Sequence, residues 1–272
     1  MNYRHAYHAG NFADCLKHAL LVWLLDALGR KPAPFFVLDT HAGAGFYDLG
    51  SAEAVRGGEW QAGIGRLLED PPPPLVAYVG LVRALGLYPG SPALIRARLR
   101  PADRLACCEL HEEEAARLRR RFARDPQVAV HRRDGWEAVG ALLPPAGARR
   151  GLVLIDPPFE QPGEHPRILG AFATAARRCP GFVLAAWYPI KHRAPVRALH
   201  DGLRASGLAD LVAAELWLRP PTDPGRLNGC GLILRHPPYG FEAAAAPMLG
   251  ALRERLAPEA GAGSALLRLA DG

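Results

Sequence analysis

A carboxylate, two prolines and an aromatic ring follow one another at Asp156, Pro157, Pro158 and Phe159, directly after the apolar residues 151–155. A short apolar, β-branched run bounded by glycine and proline predicts a buried parallel strand. Because proline cannot donate to a sheet ladder, the strand must end at this point and its carbonyls turn outward. The Asp156 carboxylate, the Pro157 carbonyl and the Phe159 ring could then hold a flat base that carries an exocyclic amine. The alternative is a strand that ends in a proline-rich turn with an N-capping aspartate.

Acidic residues also follow three other predicted strands: Asp39 ends residues 35–39, Glu109 ends residues 104–109, and Asp134 follows residues 128–133. Open α/β sheets bind ligands at the carboxyl ends of their strands, so these acids indicate a single ligand site. Glu109 lies roughly where α/β nucleotide sites place the carboxylate that binds ribose hydroxyls.

The turn after Asp39 reads Gly43-Ala44-Gly45 and lacks the third glycine of a dinucleotide fingerprint. This disfavours NAD and suits a nucleoside without a pyrophosphate. The glycines would let the backbone approach such a ligand closely.

The N-terminus clusters aromatic, imidazole and guanidinium groups at Tyr3, Arg4 and His5. Such groups could stack on bases and bind phosphates, or they could form an ordinary polar terminus. Lys17 and His18 then interrupt the early turns of a predicted amphipathic helix over residues 11–28. A lysine and a histidine beside an apolar stripe are most often a solvated helix edge.

The composition narrows the function classes. A formal charge of +6 and a pI near 9.3 favour an acidic partner such as nucleic acid, although a coding bias towards arginine could give the same balance. The five cysteines are odd in number and lack paired spacing, which argues against a zinc site and fits a reducing cytoplasm. No secretory signal and no transmembrane segment is expected, and no metal is predicted.

Strands alternate with helices along most of the 272 residues, which predicts an α/β fold with a parallel sheet. We expect one domain over residues 1–272, interrupted by a helical insertion at residues 47–87. That insertion contains two helical patterns, residues 60–68 and 75–85, separated by four prolines. The C-terminus is predicted to form a last helix and a tail.

Several strings of residues are similar to the RlmJ family of 23S ribosomal RNA (adenine-2030-N6) methyltransferases. The strings span nearly the whole chain: Tyr3-Arg4-His5, His8-Ala9-Gly10-Asn11, Leu38 to Gly45, Tyr88-Pro89-Gly90-Ser91-Pro92 and Ile155-Asp156-Pro157-Pro158. The resemblance implies a Rossmann-like class I fold, S-adenosylmethionine as cofactor, 23S ribosomal RNA as substrate and a monomer.

The resemblance also implies roles for particular residues. The cofactor would be bound by His18, His41, Ser91, Glu109, Asp134 and Gly135, together with the predicted glycine turn at Gly43 and Gly45. Asp156 would be the catalytic residue, with Pro157 and Phe159 beside it. The resemblance places Tyr3 against the RNA. From the N-terminal cluster and the start of the predicted helix, we expect Arg4, His5 and Lys17 to contact the RNA as well. Phe159 stands where family members carry tyrosine, a change that keeps the ring for stacking.

Three other functions share parts of this pattern. A ribosomal RNA guanine-N2 methyltransferase would keep the fold and the Asp-Pro-Pro-Phe motif. A DNA adenine methyltransferase would need a target-recognition domain, for which only the small insertion is available. A non-catalytic RNA-binding assembly protein is disfavoured by the intact Asp156 and by the glycine turn.

Overall fold

Buried apolar strands form the centre of the molecule in the computed structural model, which describes residues 4–272. The strands are β1 Phe36–Asp39, β2 Phe46–Tyr47, β3 Tyr88–Pro89, β4 Arg104–Glu109, β5 Val128–Arg132, β6 Gly151–Ile155, β7 Val183–Ile190, β8 Leu211–Trp217, β9 Gly229–Arg235 and β10 Gly263–Ala270. The helices are α1 Phe12–Gly29, α2 Ala52–Gly57, α3 Arg66–Glu69, α4 Val76–Leu85, α5 Ser91–Arg98, α6 Glu112–Phe122, α7 Gly135–Ala141, α8 Glu164–Arg178, α9 Arg193–Ala205 and α10 Phe241–Leu256.

Eight strands form one sheet in the order β10-β8-β9-β7-β6-β1-β4-β5. The five strands from β7 to β5 in this order are parallel, whereas β9, β8 and β10 add antiparallel pairs at the other end. The chain runs outward from β1 to β4 and β5 on one side and later to β6 and β7 on the other. This topological switch leaves a crevice at the carboxyl ends of β1, β4 and β6, where open α/β sheets bind ligands.

Successive residues of the central strands pack on opposite faces of the sheet. Val37 and Leu154 contribute to a core beneath α1, α4, α5, α6 and α10, whereas Leu38 and Ile155 contribute to a core beneath α7, α8 and α9. Both faces are therefore covered by helices, which explains why these strands are apolar throughout. The predicted Rossmann-like α/β fold with a mostly parallel sheet is confirmed.

The predicted C-terminal tail is wrong. After α10, residues 263–270 form β10, which pairs antiparallel with β8. β10 alternates poorly between buried and exposed residues, so its pairing with a distant strand is not visible in the local pattern. Helix α7, which begins at Gly135, is also absent from the sequence prediction.

The segment between β2 and β3 contains α2, α3, α4, a π-helical turn Gln61–Gly65 and a 3₁₀ turn Pro73–Leu75. The predicted continuous helix over residues 60–68 is broken at Gly63, whose backbone is non-helical (φ −103°, ψ −111°). A Cβ at Gly63 would stand 2.1 Å from the Gly10 carbonyl oxygen, so only glycine permits this approach to the N-terminal segment. Among the described residues, no helix is long and apolar enough to cross a bilayer.

Candidate active site

A cavity of about 480 Å³ lies at the carboxyl ends of the parallel strands. Its walls come from the residues that follow β1, β4, β5, β6 and β7, and from the N-terminal part of the chain up to His18. A volume of this size is typical of a site for a nucleoside-sized ligand. The cavity has two halves, which we name after the ligands that the sequence predicts for them: a nucleoside half beside β1, β4 and β5, and a base half beside β6, β7 and α1.

Backbone amides organise the nucleoside half around Glu109. One carboxylate oxygen of Glu109 accepts from the Gly43 amide at 2.8 Å, and the other accepts from the His111 amide at 2.7 Å. Burial nevertheless raises the pKa of Glu109 above its ordinary value. Each oxygen keeps a second lone pair, so the fixed carboxylate can still accept from a ligand hydroxyl.

The start of α7 forms the next wall of this half. Asp134 caps the helix by accepting from the Trp136 amide at 2.7 Å. A Cβ at Gly135 would lie 2.1 Å from the Thr40 carbonyl oxygen, so α7 can approach β1 this closely only with glycine. His41 packs edge-on against Trp136 with ring centroids 5.3 Å apart, and burial lowers the pKa of His41 to about 4. The imidazole is therefore neutral at physiological pH.

His18 and Ser91 line the cavity, and each has a buried hydrogen-bond partner. His18 is 1% exposed and shares a hydrogen bond of 2.9 Å with the Tyr88 hydroxyl. Burial lowers the pKa of His18 to about 3. Ser91 donates to Asp39 at 2.7 Å, and burial raises the pKa of Asp39 to about 7. Asp39 is fully buried and, unlike Glu109, Asp134 and Asp156, does not line the cavity. Its contact with the site is the hydrogen bond that it accepts from Ser91.

An ion-pair network organises the base half. The Lys17 ammonium lies 2.5 Å from an Asp156 oxygen and 3.0 Å from Asp14, which also accepts from the Gly10 amide at 2.9 Å. Burial alone would lower the pKa of Lys17, but Asp156 and Asp14 offset this effect and raise the pKa above its ordinary value. Lys17 is 5% exposed, so the solvated edge considered for this part of α1 is wrong.

Phe159 stands beside this network in a left-handed backbone conformation (φ 53°), which is unusual for a bulky side chain. Its ring contacts Trp187 edge-on with centroids 5.6 Å apart and lies 4.9 Å from the His165 ring. Asp156, Phe159 and Trp187 therefore bring a carboxylate and two aromatic rings to one part of the wall. This arrangement can bind a planar base and accept a hydrogen bond from its amine.

The comparisons with known proteins agree with this geometry. The family model described as ribosomal RNA large subunit methyltransferase D, RlmJ, matches residues 32–267. The chain belongs to the RlmJ family.

Two relatives are named ribosomal RNA large subunit methyltransferase J. The protein from Escherichia coli K12 is 38% identical and is aligned over 97% of both chains. The protein from Haemophilus influenzae is 37% identical, with 97% of this chain and 96% of its own length aligned. A crystal structure of a Legionella pneumophila protein matches with a TM-score of 0.87 and 33% identity, covering 96% of this chain and 98% of that one. The predicted membership of the RlmJ family is confirmed.

Most of the residues predicted for the site meet at the cavity. The following line it: His5, Lys17, His18, His41, Gly43, Ser91, Glu109, Asp134, Gly135, Asp156, Pro157 and Phe159. Gly45 does not line it and packs towards Leu118. Arg4 lies outside the cavity, 3.5 Å from Glu113. Tyr3 lies outside the described residues, and the roles of all these residues remain predictions.

Other cavity residues of this RlmJ protein were missed from the sequence. Asp14 had a local signal, because it precedes Lys17 by three residues and so shares its helix face. Trp136 follows the predicted Asp134-Gly135 pair directly. Glu164, Lys191 and Leu227 gave no signal, because only the tertiary fold brings their elements to the cavity.

Proposed function

We propose that this protein transfers a methyl group from S-adenosylmethionine to the N6 amine of an adenine in 23S ribosomal RNA. The observation that carries the proposal is the position of Asp156. It follows β6 at the switch crevice, is oriented by Lys17, and shares one cavity with the nucleoside half. Membership of the RlmJ family and the names of its relatives support the choice of RNA.

The nucleoside half fits the cofactor. Glu109 offers a backbone-anchored carboxylate for ribose hydroxyls, and Asp134 offers a second acceptor at the start of α7. The Gly135 backbone lies so close to β1 that no side chain can fill the space between them. The uncharged His41 ring and the Trp136 ring add flat surfaces for an adenine. When bound, S-adenosylmethionine supplies a methyl group on a positively charged sulfur.

The base half has to make a poor nucleophile reactive, since the adenine amine shares its lone pair with the ring. One Asp156 oxygen is bound by Lys17, which leaves the other oxygen for an N–H of the amine. The Pro157 carbonyl would accept the second N–H. These two bonds favour a pyramidal nitrogen and stabilise the positive charge that develops on it.

The target base must be unpaired or flipped to reach this cavity. Phe159 and Trp187 provide ring faces and edges for it, and a stacked base gains about 1–3 kcal/mol per aromatic contact. The net charge of +6 supports an RNA partner.

Nucleoside mass spectrometry tests the proposal. The full chain is incubated with S-adenosylmethionine and a 23S ribosomal RNA transcript, which carries no modification beforehand. We expect N6-methyladenosine at one position. N2-methylguanosine would instead support the guanine-N2 alternative. Absence of methyl transfer together with absence of cofactor binding in calorimetry would contradict the proposal and favour a non-catalytic RNA-binding protein.

We also propose that residues 1–272 act as one cytoplasmic, monomeric methyltransferase unit and that residues 47–87 form an insertion that braces its N-terminal segment. The bracing is supported by the contact of Glu59 with His8 at 2.9 Å and with Asn11 at 2.8 Å. The approach of Gly57 to the Tyr7 carbonyl adds to it. Light scattering on the purified protein should give the monomer mass of 29.3 kDa; a dimer mass would contradict this proposal.

A further inference from the structure

Two cations on one rim of the cavity are not used by the chemistry described above. Lys191 follows β7, is exposed and lines the base half. Arg226 is exposed in the loop between β8 and β9, next to Leu227, which lines the same half. Lys191 therefore stands at the base half itself, and Arg226 is one residue away from its wall.

The neighbouring arginines are already paired inside the protein. Arg193 binds Glu215 at 2.5 Å, and Arg219 forms a forked contact with Glu259. Within residues 4–272, by contrast, neither Lys191 nor Arg226 takes part in an ion pair. Arg219 and Arg226 both lie near the Glu259 carboxylate and lower its pKa, Arg219 chiefly through its hydrogen bond.

The loop that carries Arg226 is held at both ends. Arg219 and Glu259 fasten its start, and Asn228 fastens its end. The fully buried Asn228 amide donates to the Lys191 carbonyl at 2.8 Å and to the Asp223 carbonyl at 2.7 Å. One buried side chain thus ties the backbone of Lys191 to the turn that presents Arg226. Two unpaired cations on a braced frame are suited to bind an anion of fixed geometry.

We propose that Lys191 and Arg226 form a phosphate clamp for the RNA strand that delivers the target base. A nucleotide that enters the base half carries a phosphate on each side of its sugar, and the two cations stand beside that entrance. Phosphate contacts of this kind fix the register of a nucleic acid without reading its sequence. The clamp rests on the proposed function, because it takes RNA as the substrate.

The test compares three full-length variants that each remove one positive charge: Lys191→Gln, Arg226→Gln and the control Arg177→Gln. Arg177 is exposed in the last turn of α8, whose first turn lies at the cavity, so it stands at the far end of that helix. The Kd for a fluorescently labelled 23S ribosomal RNA transcript is measured at several KCl concentrations. Methyl transfer by the wild-type protein is recorded on the same RNA.

Each phosphate contact on single-stranded nucleic acid adds about −0.7 to the slope of log K against log salt. We therefore expect Lys191→Gln and Arg226→Gln each to flatten the slope by about 0.7 and to weaken binding roughly fivefold at 0.1 M salt. Arg177→Gln should keep the wild-type slope and affinity. Lys191→Arg keeps the positive charge, so it should retain most of the slope and affinity that Lys191→Gln loses.

Three outcomes separate the clamp from the function. If the wild-type protein transfers methyl groups but the rim variants bind RNA like Arg177→Gln, the clamp is overturned and the function stands. If the wild-type protein binds RNA without methylating it while the rim variants lose slope, the clamp stands and the function fails. If the wild-type protein does not bind the RNA, the clamp is overturned as well.

Discussion

The two halves of the cavity are built in different ways. In the nucleoside half, nearby backbone fixes the side chains that face the ligand: the Gly43 and His111 amides bind Glu109, and Gly135 lets α7 approach β1. The base half consists of charged and aromatic side chains from distant parts of the chain. Its central contact joins Lys17 to Asp156, which are 139 residues apart.

This difference separates binding from catalysis. A half whose side chains are fixed by nearby backbone presents its ligand with a preorganised surface. A half formed by an ion-pair network can orient one carboxylate and place charge where the reaction develops it. Substitutions in the base half should therefore reduce the rate of methyl transfer, whereas substitutions in the nucleoside half should reduce the affinity for the cofactor.

The largest expected effect is on the base half. Asp156→Ala should reduce single-turnover methyl transfer about 100-fold or more, because it removes a charge-stabilising acceptor at the amine. Affinity for S-adenosylmethionine, measured by calorimetry, should be kept. Asp156→Asn keeps one carbonyl acceptor and should retain more activity than Asp156→Ala. Wild-type rates in both variants would make Asp156 a strand cap and would remove the division between the halves.

Lys17→Ala should be the next most severe change, because Asp156 loses the cation that orients it. We expect a decrease of about 10- to 100-fold in kcat, the scale of a misplaced catalytic group, with little change in cofactor affinity. Methylammonium ions added to the assay should restore part of the rate by occupying the space of the missing ammonium. The control Lys31→Ala removes an exposed lysine just beyond α1 and should behave like the wild-type protein. A variant that loses cofactor binding instead would place Lys17 in the nucleoside half.

The same division explains what the sequence could predict. Glu109, Asp134 and Asp156 each follow an apolar strand, and strand ends of a parallel sheet meet at one edge. Local patterns therefore sufficed to place them together. The family resemblance added His18, His41 and Ser91, none of which has a local pattern that indicates a ligand.

The network around Lys17 was not predictable in this way. The spacing of α1 shows that Lys17 shares a helix face with Asp14, but it does not show that this face packs against the end of β6. The same limit applies to β10, whose partner strand is set by the tertiary fold, and to Lys191, whose place at the cavity is. The sequence favours a solvated edge at Lys17 because a charged side chain is buried only with a partner, and the local pattern does not show Asp156 as that partner.

Changes in the nucleoside half should have a smaller and different effect. Glu109→Gln replaces one acceptor oxygen with an amide group that cannot accept from a backbone amide. We expect the binding free energy for S-adenosylmethionine to weaken by about 1–2 kcal/mol, so that the Kd rises roughly 5- to 30-fold. The kcat at saturating cofactor should change little. The control Glu112→Gln alters an exposed carboxylate in the first turn of α6 and should leave the Kd unchanged. Equal Kd values for the two variants would show that Glu109 only anchors the glycine turn.

The smallest expected effect concerns the contact between His8 in the N-terminal segment and Glu59 in the insertion. The hydrogen bond that His8 donates to Glu59 raises the pKa of His8 above 6.5, and the same pair lowers the pKa of Glu59 against its burial. A raised histidine pKa contributes stability that is fully present below about pH 6.5 and is lost as the pH rises through the folded-state value.

Glu59→Gln keeps an acceptor for Asn11 but removes the charge. The wild-type protein should therefore exceed Glu59→Gln in free energy of unfolding at pH 6, and the difference should shrink at pH 9. Since both side chains are about 40% exposed, we expect at most about 1 kcal/mol in urea denaturation. Glu53→Gln in α2 is the control and should show no such trend. A difference that grows with pH would mean that His8 acts as a neutral donor and that the pair is not ionic.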